Sequence, residues 1–156
     1  MRIRETIRNI EPYTATTGDY SIWLNKNESP FDMPSQVKRE LADRLLETDL
    51  NRYPEISGSS LRESLAHHLG VDKSYLVVGN GSDELIPYLF NLFQGDHIVL
   101  TPPTFSMYDF YAKMSDTAVR NVPLDSNYHI DVESIKNHCQ NAKAIVICSP
   151  NNPTGN

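Results

Sequence analysis

The sequence predicts an α/β domain built on a mainly parallel sheet with flanking helices. Three observations carry that prediction. From about residue 75 onward, short runs rich in β-branched residues alternate with stretches of helical apolar spacing. Those runs are followed by turns rich in glycine or proline, as happens where a strand hands over to a helix. The 156 residues, 39% hydrophobic and 22% charged, suit a domain with a buried core rather than a disordered chain.

Residues 1–30 contain Pro12, Gly18 and Pro30 with little periodicity, and read as an N-terminal arm ahead of the domain proper, 31–156. Pro34 opens a helix to about Glu47, with Val37, Leu41, Leu45 and Leu46 on one face. Asn51-Arg52-Tyr53-Pro54 is a turn. A second helix over Ser57–Leu69 places Leu61, Leu65, Ala66 and Leu69 at helical spacing and stops at Gly70. Tyr75–Val78 predicts a strand, and Ser82–Phe93 a helix with Ser82 or Asp83 near its start. His97–Leu100 is the next strand, ended by Pro102-Pro103, and Thr104 caps a helix to about Met114. Ala118–Val122 is a strand, Asp131–Gln140 a helix with Val132 and Ile135 inward, and Ala144–Cys148 the final strand.

Charge and composition exclude several function classes. The net charge of −6, with both signs interspersed, leaves no basic face for nucleic acid. No apolar run has the length of a membrane span, and Met1-Arg2-Ile3-Arg4-Glu5 is no signal-peptide core. Cys139 and Cys148 lack Cys-x-x-Cys spacing, so a reduced cytoplasmic protein is expected, with Cys148 a small core residue. His67 and His68 are adjacent and point apart on a helix, while His97, His129 and His138 are scattered; most read as solvated, and no metal site is predicted. No Gly-x-Ser-x-Gly elbow is present, which argues against that class of serine hydrolase.

Four segments carry candidate chemistry. Gly79-Asn80-Gly81-Ser82-Asp83-Glu84 follows an expected strand and opens a helix, where close backbone approach and free amides suit a phosphate. It lacks the third glycine of a dinucleotide fingerprint and the Gly-Lys of a P-loop. Asp83 and Glu84 have to point away from any phosphate held there. By itself the segment also reads as a tight turn before a capped helix. Phe105, within Pro102–Tyr108, suits stacking on a flat ring, and equally the core and rim of a helix. Tyr53 sits on a turn from which a phenol reaches a phosphate or another subunit, or is simply solvated. Ser149–Gly155, with two asparagines and two prolines after a buried strand, is the most specific of the four.

Taken in order, these segments resemble the fold type I pyridoxal-phosphate aminotransferases, and within them most closely the histidinol-phosphate aminotransferases. The resemblance rests on Arg8–Tyr13, Leu24–Glu28, Asn51–Pro54, Gly79–Glu84, Pro103–Tyr108 and Ser149–Gly155. It implies that 31–156 is the first part of that fold's large cofactor-binding domain. It implies pyridoxal 5'-phosphate as cofactor, with Gly81, Ser82 and Asp83 at its phosphate, Phe105 stacked on its ring and Asn152 bonded to its phenolic oxygen. The family more often has tyrosine at the Phe105 position, so stacking is kept and a hydroxyl contact is lost. Tyr53 is implied to reach the phosphate of a neighbouring subunit's cofactor in a homodimer with shared sites. Tyr13 and Asn27 are implied at the substrate.

The reaction implied is transfer of an amino group between L-histidinol phosphate and 2-oxoglutarate in histidine biosynthesis. The family's imine-forming lysine, its ring-nitrogen aspartate and its substrate arginines follow the Asn-Pro-Thr-Gly turn. Lys26, Lys38, Lys73, Lys113, Lys136 and Lys143 occupy none of the matching positions, so no catalytic residue is assigned and the chain is expected to be an inactive N-terminal fragment. Three alternatives stand beside this reading: an aromatic aminotransferase, a threonine-phosphate decarboxylase of the same fold, and a non-enzymatic remnant or interaction subunit. In the last, an open sheet edge and uncovered apolar surface would seek a partner.

Overall fold

The computed structural model describes residues 2–11 and 17–156. The chain forms two compact units, Tyr13–Val78 and a second that joins Met1–Pro12 to Gly79–Asn156.

In the first unit, α2 (Ser35–Leu46) and α3 (Ser59–Leu69) lie within the spans the sequence predicts. Pro34 precedes α2 with a φ of −53°, the value its ring imposes and a helix entry requires. Val37, Leu41 and Leu45 form the expected stripe, yet each remains at least 41% exposed. Ala66 of α3 is the unit's buried apolar residue among those described. The strand expected over Tyr75–Val78 does not form. Asp72 accepts a hydrogen bond from the Ser74 amide at 2.8 Å and closes a 3-10 turn over Lys73–Tyr75. Leu76 is extended, but no described strand lies beside this run, and Val77 is 78% exposed. A β-branched run makes a strand only where a neighbour takes its backbone hydrogen bonds.

The second unit is a three-layer α/β body. After the short α1 (Glu5–Arg8) come α4 (Ser82–Leu92), β1 (His97–Leu100), α5 (Met107–Met114), β2 (Ala118–Asn121), α6 (Val132–His138) and β3 (Ala142–Val146). The sheet has the order β2-β1-β3 and both pairings are parallel. Every residue of central β1 is buried, which explains its unbroken apolar character after His97. Side chains alternate across the sheet. Ile98 and Leu100 pack with Phe90 of α4 and Ala112 of α5, while Val99 packs with Val122 and Ile135 of α6 on the opposite face. Helices therefore cover both faces, as a parallel sheet demands.

Several predicted elements shift, each for a local reason. β3 begins at Ala142 and ends at Val146, two residues earlier than expected. Its register with β1 slips between His97 and Ile98, so Lys143 is an extra residue between Ala142, opposite His97, and Ala144, opposite Ile98. Ile147 and Cys148 continue past Leu100, the last paired residue of β1. Helix α5 begins at Met107 because Thr104 does not cap it; the Thr104 hydroxyl is bonded elsewhere. Helix α6 is capped as expected by Asp131, which accepts from the Ser134 amide at 2.9 Å. His97 is an exception among histidines read as mostly solvated: it is 1% exposed, and its Nε2 lies 2.9 Å from the His138 carbonyl, which ties β1 to α6.

Candidate functional site

Parallel pairing brings the carboxyl ends of β1, β2 and β3 to one edge of the sheet, the edge where α/β folds bind ligands. The loops after β1 and β3 leave that edge from neighbouring strands. Helix α4 returns to β1 through Phe93–Asp96, so its amino end lies toward the same edge.

At that amino end Gly81 is the cap residue, with φ 78° and ψ 178°, a conformation essentially confined to glycine. A methyl group added there would meet nothing within 4 Å, so the space above it is open. No side chain caps α4, in contrast to α6, and its first amides are left without intrahelical partners. Of the two neighbouring carboxylates, one is bonded to the preceding loop and the other lies beside a phenol. Glu84 folds back to accept from the Asn80 amide at 2.5 Å. Asp83 interacts with the Tyr111 phenol of α5, whose pKa is raised first by burial and then by the charge and hydrogen bond of Asp83. The first turn of α4 thus offers amides and the exposed Ser82 hydroxyl with the acidic groups engaged at its flanks.

The loop after β1 carries Phe105, partly buried and edge-on to Tyr108, with ring centroids 5.5 Å apart. The Tyr108 phenol is pushed up to about 12, chiefly by burial and further by Cys148 at the end of the β3 segment. In the turn after β3 the two asparagines divide their work. Asn151 is 8% exposed and fully engaged: its Nδ2 donates to the Pro103 carbonyl at 2.9 Å and to Thr154 Oγ1 at 2.7 Å, and its Oδ1 accepts from Thr104 Oγ1 at 2.9 Å. The Asn152 side chain is half-buried and makes no hydrogen bond among the described residues, so its amide is available to a ligand. A cavity of about 150 Å³ opens beside this turn, lined in part by Thr101, Ile147, Cys148, Ser149 and Asn151.

Of the residues singled out in the sequence, Gly81, Ser82, Asp83, Phe105 and Asn152 belong to one unit and to loops or a helix start at its strand-end edge. Tyr53 and Asn27 belong to the other unit. Tyr53 is fully exposed, and Asn27 is exposed with a φ of 53°. Tyr13 lies outside the described residues. Among the described residues no group of three or more potential metal ligands comes together. Nor is any helix among them long and apolar enough to cross a membrane.

Residues 20–156 match the family described as aminotransferase class I and II. The chain belongs to this family. Over 154 residues it is 51% identical to a histidinol-phosphate aminotransferase of Pyrococcus furiosus, covering 99% of the chain and 46% of that protein. It is 47% identical to the histidinol-phosphate aminotransferase of Thermococcus gammatolerans, covering 99% and 45%. The crystal structure of the histidinol-phosphate aminotransferase from Clostridium acetobutylicum superposes with a TM-score of 0.73 at 28% identity, over 83% of this chain and 38% of that one. The fold is therefore that of the fold type I aminotransferases, and the chain spans about half the length of the curated relatives it matches.

Two site features escape the sequence. Asn151 and Asn152 are identical in type, and only burial separates the tied one from the free one. Thr104 reads as a helix cap because threonine before an apolar run usually is one. The four prolines at 102, 103, 150 and 153 were the available signal: loops so short of backbone donors need a side chain to hold them.

Proposed function

We propose that the chain supplies the cofactor-holding side of a pyridoxal-phosphate aminotransferase that moves an amino group between L-histidinol phosphate and 2-oxoglutarate in histidine biosynthesis. The observation that carries this reading is the similarity, across 99% of the chain, to proteins named histidinol-phosphate aminotransferase.

The residues present fit the cofactor. A phosphate dianion needs donors, positive potential and room, and the uncapped first turn of α4 offers all three above Gly81. The amides of Ser82 and Asp83, with the Ser82 hydroxyl, would hold the phosphate above Gly81, whose own amide donates to the Gly79 carbonyl at 2.9 Å. The Phe105 face would stack on the pyridine ring, and Asn152 Nδ2 would donate to the ring's phenolic oxygen. When bound, pyridoxal 5'-phosphate supplies the electron sink that lets an amino group leave one carbon skeleton and join another. The part of this chain is to bind, to orient the ring between a stacked aromatic and a fixed amide, and to keep the acidic side chains of α4 off the phosphate.

Tyr53 touches almost nothing in its own chain, which supports a phenol presented to the cofactor phosphate of a second subunit in a homodimer. Tyr13 and Asn27 are assigned to the substrate by family resemblance. Two free cysteines and the biosynthetic role support a cytoplasmic location.

The test is kcat/KM of the full-length enzyme, loaded with pyridoxal 5'-phosphate, on histidinol phosphate, phenylalanine and threonine phosphate. Histidinol phosphate is expected to be the preferred amino donor. Preference for phenylalanine, or release of carbon dioxide from threonine phosphate, would overturn the assignment.

A further inference from the structure

We propose that Thr104 and Asn151 are positioning residues, a side-chain clasp that holds the Phe105 loop and the Asn152 turn in register. The inference rests on the reading above, in which Phe105 and Asn152 face the cofactor ring. The two loops leave adjacent strands, yet beyond the β1–β3 ladder they exchange no backbone hydrogen bond among the described residues. Prolines explain this: Pro102, Pro103, Pro150 and Pro153 have no amide to donate. One buried carboxamide does the joining instead. Asn151 spends both Nδ2 hydrogens, one on the Pro103 carbonyl and one on Thr154, and its Oδ1 takes the Thr104 hydroxyl.

The contacts link positions 47 and 48 residues apart in sequence. The Thr104–Asn151 bond joins the residue immediately before Phe105 to the residue immediately before Asn152. Asn151 itself is saturated and has no donor left for a ligand, so its role is to aim its neighbour. Thr154 closes the same turn, where the Gly155 amide also donates to the Asn151 carbonyl at 2.7 Å. A ring held between Phe105 and Asn152 needs both placed together, and a small misplacement of either is felt in the chemistry.

Thr104→Val is the discriminating variant. It keeps the shape, replaces the hydroxyl by a methyl, and leaves Asn151 Oδ1 buried without its donor. Thr104→Ser, which restores the hydroxyl, is the rescue, and Asn152→Ala is the reference for loss of the ring contact. Two measurements are made. Without cofactor, amide exchange over 103–106 and 149–155 is expected to rise roughly tenfold in Thr104→Val, with β1 unchanged, and to return in Thr104→Ser. With pyridoxal 5'-phosphate bound, the pH midpoint of its visible absorption is expected to move in Thr104→Val in the same direction as in Asn152→Ala. Wild-type exchange in Thr104→Val overturns the clasp. Raised exchange with an unmoved midpoint, while Asn152→Ala moves it, overturns the positioning role. An unmoved midpoint in Asn152→Ala refutes the ring contact, and with it the positioning role, while exchange still decides whether the clasp exists.

Discussion

Arg4 Nη1 donates to Asp116 Oδ2 at 2.6 Å and joins the N-terminal segment to the end of α5, 112 residues away. The same guanidinium donates through Nη2 to the Met114 carbonyl at 2.9 Å, and Thr6 Oγ1 donates to Asp116 Oδ1 at 2.6 Å. An arginine at the carboxyl end of a helix also meets the negative pole of its dipole. A single exposed ion pair contributes little, but a network with both carboxylate oxygens engaged fixes geometry. Asp116→Ala is expected to speed trypsin cleavage after Arg8 while leaving amide exchange in β1 unchanged. Equal cleavage rates in wild type and variant would contradict the latch.

The same contacts carry a pH dependence. The Thr6 hydroxyl first, and Arg4 second, hold the Asp116 carboxyl below its ordinary value. A carboxylate depressed in the folded state contributes stability that is present above its unfolded pKa, about 4, and is lost as pH falls through the folded value. A carboxyl-carbon NMR titration should place Asp116 below the usual aspartate range. Thr6→Val should move the midpoint upward, and Arg4→Ala should do so to a smaller extent.

Gly81 is the conformational demand at the start of α4. With φ 78° and ψ 178°, any side chain at this position is strained by about 1–3 kcal/mol. Gly81→Ala is therefore expected to lower stability by about that amount in a denaturant titration without cofactor. It should weaken retention of pyridoxal 5'-phosphate further, because the relieved backbone turns its amides away from the phosphate.

The bulge at the start of β3 has a second role. Lys143, the extra residue, sends Nζ to the Phe90 carbonyl at 3.3 Å and to Thr117 Oγ1 at 3.2 Å, and so satisfies the carboxyl end of α4. Lys143→Met keeps the apolar stem and removes the donor. Its expected cost is about 1–2 kcal/mol, read as a lower denaturation midpoint with an unchanged m-value.

Much of this architecture was legible, and the misreadings have physical causes. His97–Leu100 reads as a strand and is one, because a fully buried strand is apolar along its length. Tyr75–Val78 has the same look and no pairing neighbour among the described residues, since a strand is a property of two segments and only one is visible in a local run. The slip of β3 comes from Lys143, whose bulge leaves no mark on the apolar pattern around it. The Phe105 and Asn152 segments were legible as loops after strands, whereas the strand expected before Gly79–Glu84 does not form. That Glu84 turns to Asn80 was implied by the need to spare a phosphate; that Asn151 is the tied asparagine depends on burial alone.

Tyr108 provides a spectroscopic handle on the Phe105 loop. Its phenol titrates at about 12, raised chiefly by burial and then by Cys148. A group whose folded pKa lies above the unfolded value contributes stability that is fully present below about 10 and is lost as pH rises through the folded value. Ultraviolet phenolate titration should show a late tyrosine component near the folded value, and Tyr108→Phe should remove it. An unchanged late component in the variant would place Tyr108 in a more open setting.

A crystal structure of the full-length protein with pyridoxal 5'-phosphate tests the central claim most directly. The account predicts the phosphate above Gly81 on the Ser82 and Asp83 amides, the Phe105 face on the ring, and Asn152 Nδ2 within hydrogen-bond distance of the phenolic oxygen, with Asn151 still bonded to Thr104. A cofactor held away from the α4 amino end, or one bonded by Asn151 while Asn152 faces solvent, would contradict it.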